Sequence, residues 1–305
     1  MAVTVTAIKE LMTLTGVGMM DCKRALVETD GDQEKAIEIL REKGLATQAK
    51  KSGRAAAEGA VAAVVKGNVG VLVEINTETD FAANTDDFKA FVANVADTII
   101  EKAPADVDAL NALTISGGDK TVADTLTELA GMKIRENIVI RRFVRLEGKL
   151  ASYVHNGGSI GVLVKLDTDL DADKVAYIGK DVAMQSAALN PAYLNRAEVP
   201  AEVIEKEKEI MLAQMAEDPK MANKPEQVKV KIVEGKVGKY YSENCLLEQA
   251  FVKDDKQTVQ GYVDAEAKKL GGTITVTDVI RFERGDGVEK KEENFADEIA
   301  SMVKG

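Results

Sequence analysis

The chain has 305 residues, 45% hydrophobic and 30% charged, with a net charge of −11. That length supports two or three modules with a substantial buried core, and the acidic balance argues against bulk nucleic acid as the main partner. No apolar run is long enough to cross a bilayer, and two cysteines, Cys22 and Cys245, can build neither a disulfide framework nor a zinc site. The start, Met1-Ala2-Val3-Thr4-Val5, has no basic stretch followed by an apolar core and no Arg-rich character. The expected compartment is therefore a reducing cytoplasm.

The first stretch reads as three short helices. Thr6 to Thr15 places Ala7, Ile8, Leu11 and Leu14 at a helical period, and Gly16-Val17-Gly18 breaks it. A second helix is expected from about Met20 to Val27, followed by the turn Asp30-Gly31-Asp32. A third, Gln33 to Lys43, carries Ala36, Ile37 and Leu40 on one face and is expected to stop at Gly44. Residues 1–45 then form a small three-helix domain, and 46–59, rich in Ala, Lys and Gly, a linker. The basic residues Lys43, Lys50, Lys51 and Arg54 fit a solvated linker better than a nucleic-acid patch.

The middle of the chain repeats itself. Gly70-Val71-Leu72-Val73-Glu74-Ile75-Asn76-Thr77 aligns with Gly161-Val162-Leu163-Val164-Lys165-Leu166-Asp167-Thr168. Each copy follows a shorter strand and a hairpin signal, Lys66-Gly67-Asn68 or Asn156-Gly157-Gly158. Each precedes a helix, Asp86 to Glu101 or Ala172 to Ala188, and further strands are expected over Asn137–Leu146 and Thr273–Phe282. The fold class is α+β: a duplicated core of small antiparallel sheets with helices, its first half at 60–148 and its second at 149–198 and 241–284. Residues 199–240 interrupt the second half as an antiparallel helical hairpin. Its apolar stripe is drawn through Val203, Ile210, Ile204, Met211, Val228, Ile232 and Val233 about a turn near Asp218-Pro219. Residues 285–305 form a C-terminal module with an amphipathic helix at 291–304.

Catalytic groups are scarce. His155 is the one histidine, so a Ser-His or Cys-His pair would have to use it. There is no G-x-x-x-x-G-K-[ST], and Gly16-Val17-Gly18 lacks the third glycine of a dinucleotide fingerprint. Asp80, Asp86 and Asp87 could face a magnesium ion, but three acids at a helix start read first as cap and dipole partners. The expectation is no metal, no cofactor and no catalysis. Against that background one segment stands out. Val69 to Ile75 is an apolar strand, and it runs into the polar turn that carries Phe81. Among seven Phe, six Tyr and no Trp, each placed ring needs an account, and the default for a Phe is burial.

Two motifs then carry a resemblance. One is Leu11-x-x-x-Thr15-Gly16-x-Gly18-Met19-Met20-Asp21-Cys22-Lys23-x-Ala25-Leu26; the other is Glu74-Ile75-Asn76-Thr77-Glu78-Thr79-Asp80-Phe81-Ala82-Ala83-Asn84. With Glu136-Asn137-Ile138-Val139-Ile140-Arg141-Arg142, Ser152-Tyr153-Val154-His155 and Ile280-Arg281-Phe282-Glu283, the chain resembles the bacterial elongation factor Ts family along nearly its whole length. The departures are Met12 where the family usually has Arg, Thr77 and Ala82 for Ser or Cys and Val, Arg135 where some relatives have glycine, and Ala250 for a frequent proline.

The resemblance implies a three-helix domain similar to ubiquitin-associated domains, a duplicated core, an inserted hairpin and a C-terminal helix. It implies a guanine-nucleotide exchange factor that binds elongation factor Tu, in its GDP-bound and nucleotide-free forms, and promotes GDP release during translation elongation. Asp80 and Phe81 would insert beside the partner's magnesium and nucleotide site, with Thr79, Ala82 and Asn84 in the same contact loop. Lys23, Ile134, His155 and Val252 fall at further contact positions, the last in Gln249-Ala250-Phe251-Val252. No direct nucleic acid and no membrane is implied. Exchange of this kind needs no acid or base, only tighter binding to the distorted partner than to its GDP form. Together these points reverse the default for the ring: Phe81 is expected to be exposed. The alternative is a helical adaptor or chaperone-like binding module without exchange activity.

Overall fold

The computed structural model describes residues 3–15, 17–218, 221 and 224–288. Three helices open the chain: α1 (Val5–Thr15), α2 (Met19–Glu28) and α3 (Gln33–Lys51). Ile8, Leu11, Val17, Cys22, Ala25, Leu26, Ala36 and Leu40 form their shared core. Asp32 caps α3 by accepting the Lys35 N–H at 3.2 Å.

The third helix does not stop at Gly44. It runs eight residues past Lys43, through much of the expected linker, and ends at Lys51. The reason lies in the next unit. A Cβ on Gly131 would sit 2.3 Å from the Gly44 carbonyl oxygen, and one on Gly44 would sit 2.9 Å from Met132 Cγ. Gly44 is thus a contact residue, where two backbones touch, and not a helix stop. Thr127 Oγ1 donates to Gln48 Oε1 at 2.8 Å, and the Arg41–Asp124 and Arg135–Asp21 ion pairs complete the seam.

Two three-stranded antiparallel sheets follow. The first is ordered β1 (Glu58–Lys66), β2 (Val69–Thr77), β3 (Ile138–Glu147); the second β4 (Lys149–His155), β5 (Ile160–Thr168), β8 (Ile274–Glu283). The duplication extends to hydrogen-bond register. Each central strand has one irregularity, at Glu74/Ile75 and at Lys165/Leu166, and each ends on an equivalent pair, Thr77 opposite Ile138 and Thr168 opposite Ile274.

Alternation along the strands builds the layers. Val71, Val73 and Ile75 face outward onto Phe88, Phe91, Val92, Val95 and Ile99 of α5 (Asp86–Lys102). Val162, Val164 and Leu166 face Val175, Ile178 and Val182 of α8 (Ala172–Leu189). The inner faces meet through Val61, Leu72, Leu150, Leu163 and Phe282. Between α5 and β3 lie α6 (Val107–Asn111), α7 (Val122–Glu128) and a π-helical turn, Leu129–Lys133.

The insertion is a pair of packed helices, α9 (Ala201–Glu217) and α10 (Glu226–Asn244). Its buried stripe passes through Ile204, Met215 and Val233, whereas Ile210 and Val228 are exposed. The heptad expectation fails at those two because the pair closes over one narrow seam and its root packs on Tyr193 and Cys245. The chain returns through β6 (Ala250–Phe251), β7 (Asp254–Thr258) and α11 (Val259–Leu270). The expected C-terminal helix at 291–304 lies outside the described residues.

Candidate functional site: an exposed ring on a braced turn

Strand β2 runs two residues further than its apolar pattern suggests, to Thr77, and Glu74, Asn76 and Thr77 are buried. The polar stretch is therefore partly interior. Glu74 is fully buried and accepts from Arg142 Nε at 2.7 Å, Gly285 N at 2.8 Å, Arg141 Nη1 at 3.0 Å and Asn76 Nδ2 at 3.2 Å. Burial alone would raise its pKa; the Gly285 N–H and the two guanidiniums hold it below the usual carboxylate range.

Beyond Thr77 the backbone turns into a single helical turn, α4 (Asp80–Ala83), where the sequence suggests only a loop. Thr79 is its cap: Oγ1 accepts the Ala82 N–H at 3.2 Å. Asn84 Nδ2 donates to the Asp80 carbonyl at 2.9 Å, and Thr85 caps the following helix by accepting from Phe88 N at 3.2 Å. Ala82 and Ala83 are buried beneath the turn, Asp80 and Asn84 are exposed, and the Phe81 side is open. Phe81 is 84% exposed, the largest value for a large hydrophobic among the described residues. The ring thus stands free on a one-turn helix, reversing the burial that hydrophobicity alone favours.

The turn is braced from the segment before β3. Glu136 accepts from Thr79 Oγ1 at 2.7 Å, Thr79 N at 3.0 Å and Thr77 Oγ1 at 3.0 Å. In the opposite direction Glu78 accepts the Asn137 N–H at 2.6 Å, and Asn137 Nδ2 donates to the Arg54 carbonyl at 2.7 Å. Nothing in the local pattern marks Glu136 as part of this site; only the β2–β3 register brings it there.

The other expected contact residues are dispersed. His155 ends β4, exposed, with Tyr153 Oη 3.0 Å from its Nδ1. It lies at the same end of the sheets as the turn: Gly158, three residues on, packs on Ala60, and Glu58, two residues before Ala60, pairs with Thr77. Ile134 follows the π-helical turn and is half-buried against the first core. Its neighbour Arg135 has φ +63°, a conformation that favours glycine. Arg135 and Arg24 both pair with Asp21; burial pushes the Asp21 carboxyl up, but these guanidiniums bring it below its ordinary value. Lys23 lies on the exposed face of α2. In the segment 249–252, Gln249 and Phe251 are buried while Val252 is 45% exposed, its N–H donating to Gln185 Oε1 at 2.8 Å.

Asp86 and Asp87 stand in the first turn of α5, and Asp87 pairs with Lys133 at 3.1 Å. Among the described residues no three His, Cys, Asp or Glu side chains converge to hold a metal ion, and no helix is long and apolar enough to cross a membrane.

Comparison with known proteins adds to this geometry. The family model described as Elongation factor TS matches residues 78–286. The chain is 48% identical over 308 residues to Elongation factor Ts of Syntrophotalea carbinolica, covering 100% of both chains. It is 48% identical to that of Clostridium perfringens over 98% of this chain and 99% of the relative. Elongation factor Ts of Magnetococcus marinus is 46% identical over 100% of both. The exposed turn, the duplicated sheets that carry it and similarity along the whole length lead to one assignment: the chain belongs to the elongation factor Ts family, a family of translation elongation factors.

Proposed function

We propose that this protein is a guanine-nucleotide exchange factor, not an enzyme, that binds elongation factor Tu in the cytoplasm and promotes GDP release. The observation that carries the reading is Phe81, 84% exposed on a turn whose base is buried and braced. A ring so placed has apolar area to offer a pocket, and the braced backbone beneath it has little freedom left to lose on binding. In this reading Asp80 and Phe81 enter beside the partner's magnesium and nucleotide site. Thr79, Ala82 and Asn84 shape the turn, and Lys23, Ile134, His155 and Val252 contribute outlying contacts.

Release follows from differential binding. If the factor holds the nucleotide-free GTPase more tightly than the GDP form, linkage requires that it weaken GDP by the same factor. Phe81 supplies that difference if its pocket opens only when the phosphate-binding loop has moved. Asp80, a carboxylate brought near a Mg²⁺ site, disturbs the field that holds the ion. The partner is a folded GTPase, and neither nucleic acid nor a membrane takes part.

The test is release of a fluorescent GDP from elongation factor Tu with catalytic amounts of this protein. Acceleration by the wild type and its loss in Phe81→Ala is the expected result, with truncation weakening the complex by about 2–4 kcal/mol, as for a strong interface anchor. Binding without any change in GDP off-rate would favour the adaptor reading instead.

A further inference from the structure

We propose that Glu136 is a positioning residue for Phe81: its carboxylate orients the Thr79 cap and so sets the direction in which the ring is presented. The proposal rests on the exchange reading for its purpose but on hydrogen bonding for its content. Phe81 is 84% exposed, so its own packing does little to hold it. Its direction is left to the backbone of a four-residue turn, and that turn begins at Thr79. The Thr79 hydroxyl has one proton and gives it to Glu136 Oε1 at 2.7 Å. Its lone pairs are thereby turned to the Ala82 N–H, which they accept at 3.2 Å. Glu136 Oε2 meanwhile takes the Thr79 N–H and the Thr77 hydroxyl, both at 3.0 Å. One carboxylate thus ties the end of β2 to the first residue of the turn.

The second half of the molecule provides an internal comparison. Its register matches Thr168 and Ile274 to Thr77 and Ile138. Asp169 therefore stands for Glu78 and Thr273 for Asn137. The same bond recurs there, Thr273 N donating to Asp169 Oδ1 at 2.7 Å, as Asn137 N donates to Glu78 Oε1 at 2.6 Å. That acid-to-amide tie belongs to the fold of both halves. Glu136, however, is matched by Gly272, Thr79 by Leu170, and Phe81 by Ala172. Leu170 packs into the second core, and a Cβ on Gly272 would lie 2.6 Å from Leu170 Cγ. The half with Ala172 at the ring's position also lacks, at the matching positions, the carboxylate and the hydroxyl it would orient. The brace and the ring occur together, in one half only.

The experiment uses the full chain and three variants: Glu136→Ala, Glu136→Gln and Thr79→Ser. Amide hydrogen exchange is followed over residues 79–85, with the strands at 58–77 and 138–147 as the reference for intact folding. Fluorescent-GDP release from elongation factor Tu is measured across factor concentrations. Glu136→Ala is expected to speed exchange of the turn amides, and to raise the half-saturating concentration, each by about tenfold, as for loss of a cap and of preorganisation. The rate at saturation should change little. Glu136→Gln, which keeps one acceptor oxygen, should stay within about threefold of wild type in both readouts, and Thr79→Ser, which keeps the hydroxyl, within about threefold in turn-amide exchange. Turn amides as protected in Glu136→Ala as in wild type, or an unchanged half-saturating concentration with a loosened turn, would overturn the proposal. If the wild type does not accelerate GDP release, the exchange reading fails. Positioning is then decided by the turn amides and by the affinity of wild type and Glu136→Ala for the same GTPase.

Discussion

Replacing Glu74 by Ala removes the acceptor for two arginines and a backbone amide at the junction of the two sheets. The Glu74 side chain has 0% exposure, while Arg141 and Arg142 retain 28% and 36%. Breaking a fully buried pair costs about 3–5 kcal/mol. Here the two guanidiniums can regain water, which reduces the penalty, but the Gly285 N–H is left without its acceptor, which adds about 1 kcal/mol. The expected loss is about 3 kcal/mol at pH 7, at the lower end of the buried-pair range, or about 5 °C in melting temperature for a chain of this length. The assay is urea and thermal unfolding of wild type, Glu74→Ala and Glu74→Gln from pH 7 to pH 3. Because the folded pKa of Glu74 is held below the ordinary carboxylate value, its stabilisation is complete above the unfolded pKa and is lost as pH falls through the folded one. The gap between wild type and Glu74→Gln should therefore close on acidification, with the other carboxylates common to both proteins. A Glu74→Ala variant within 1 kcal/mol of wild type at pH 7, or a gap that stays constant down to pH 3, would refute the reasoning.

The ring itself should be nearly silent in stability: Phe81→Ala is expected within about 0.5 kcal/mol of wild type by urea unfolding, since the side chain is exposed. Arg135 has φ +63°, so Arg135→Gly should be more stable than Arg135→Ala by about 1 kcal/mol, both having lost the Asp21 pair; thermal melts of the two variants compare them directly. Gly131→Val should separate α3 from the π-helical turn, because even a Cβ would meet the Gly44 carbonyl. Its signature is faster amide exchange over 44–51 and a loss of about 2 kcal/mol or more, as expected for overpacking. The Tyr177 hydroxyl, donating to Glu266 Oε2 at 2.7 Å, is pushed up to about 12. An ultraviolet titration should find one fewer tyrosine ionising near pH 10 in wild type than in Glu266→Ala.

Much of the core was legible because its signals are local. Val69–Ile75 and Gly161–Leu166 are near-continuous apolar runs, as expected of central strands covered on both faces, and their similarity exposed the repeat. The exposure of Phe81 was reachable only by adding the family resemblance to the lack of catalytic groups, since hydrophobicity alone argues for burial. What escaped depends on distant partners. Gly44 reads as a helix stop until Gly131 is known to press on it. Glu74 reads as a lone acid in an apolar strand until Arg141 and Arg142 arrive from β3 and Gly285 from the turn after β8. Glu136 is 57 residues from Thr79, and no spacing rule joins them. The hairpin stripe misled because a seven-residue repeat fits several seams and the packed one uses Met215 in place of Ile210.

The contact between Gly44 and Gly131 has a further consequence for binding. Helix α3 is continuous across it, so the three-helix unit sits directly on the core instead of trailing from a flexible tether. Lys23 on α2 and Phe81 on its turn are then held at a set separation, like the jaws of a caliper. If both surfaces contact a GTPase as proposed, engagement of one brings the second to its site at an effective concentration fixed by geometry and not by the statistics of a chain. A partner whose two sites match that span gains avidity from both, and one whose sites are spaced differently can use only one. Selection among related GTPases could thus be exercised by distance alone, before any side chain is compared.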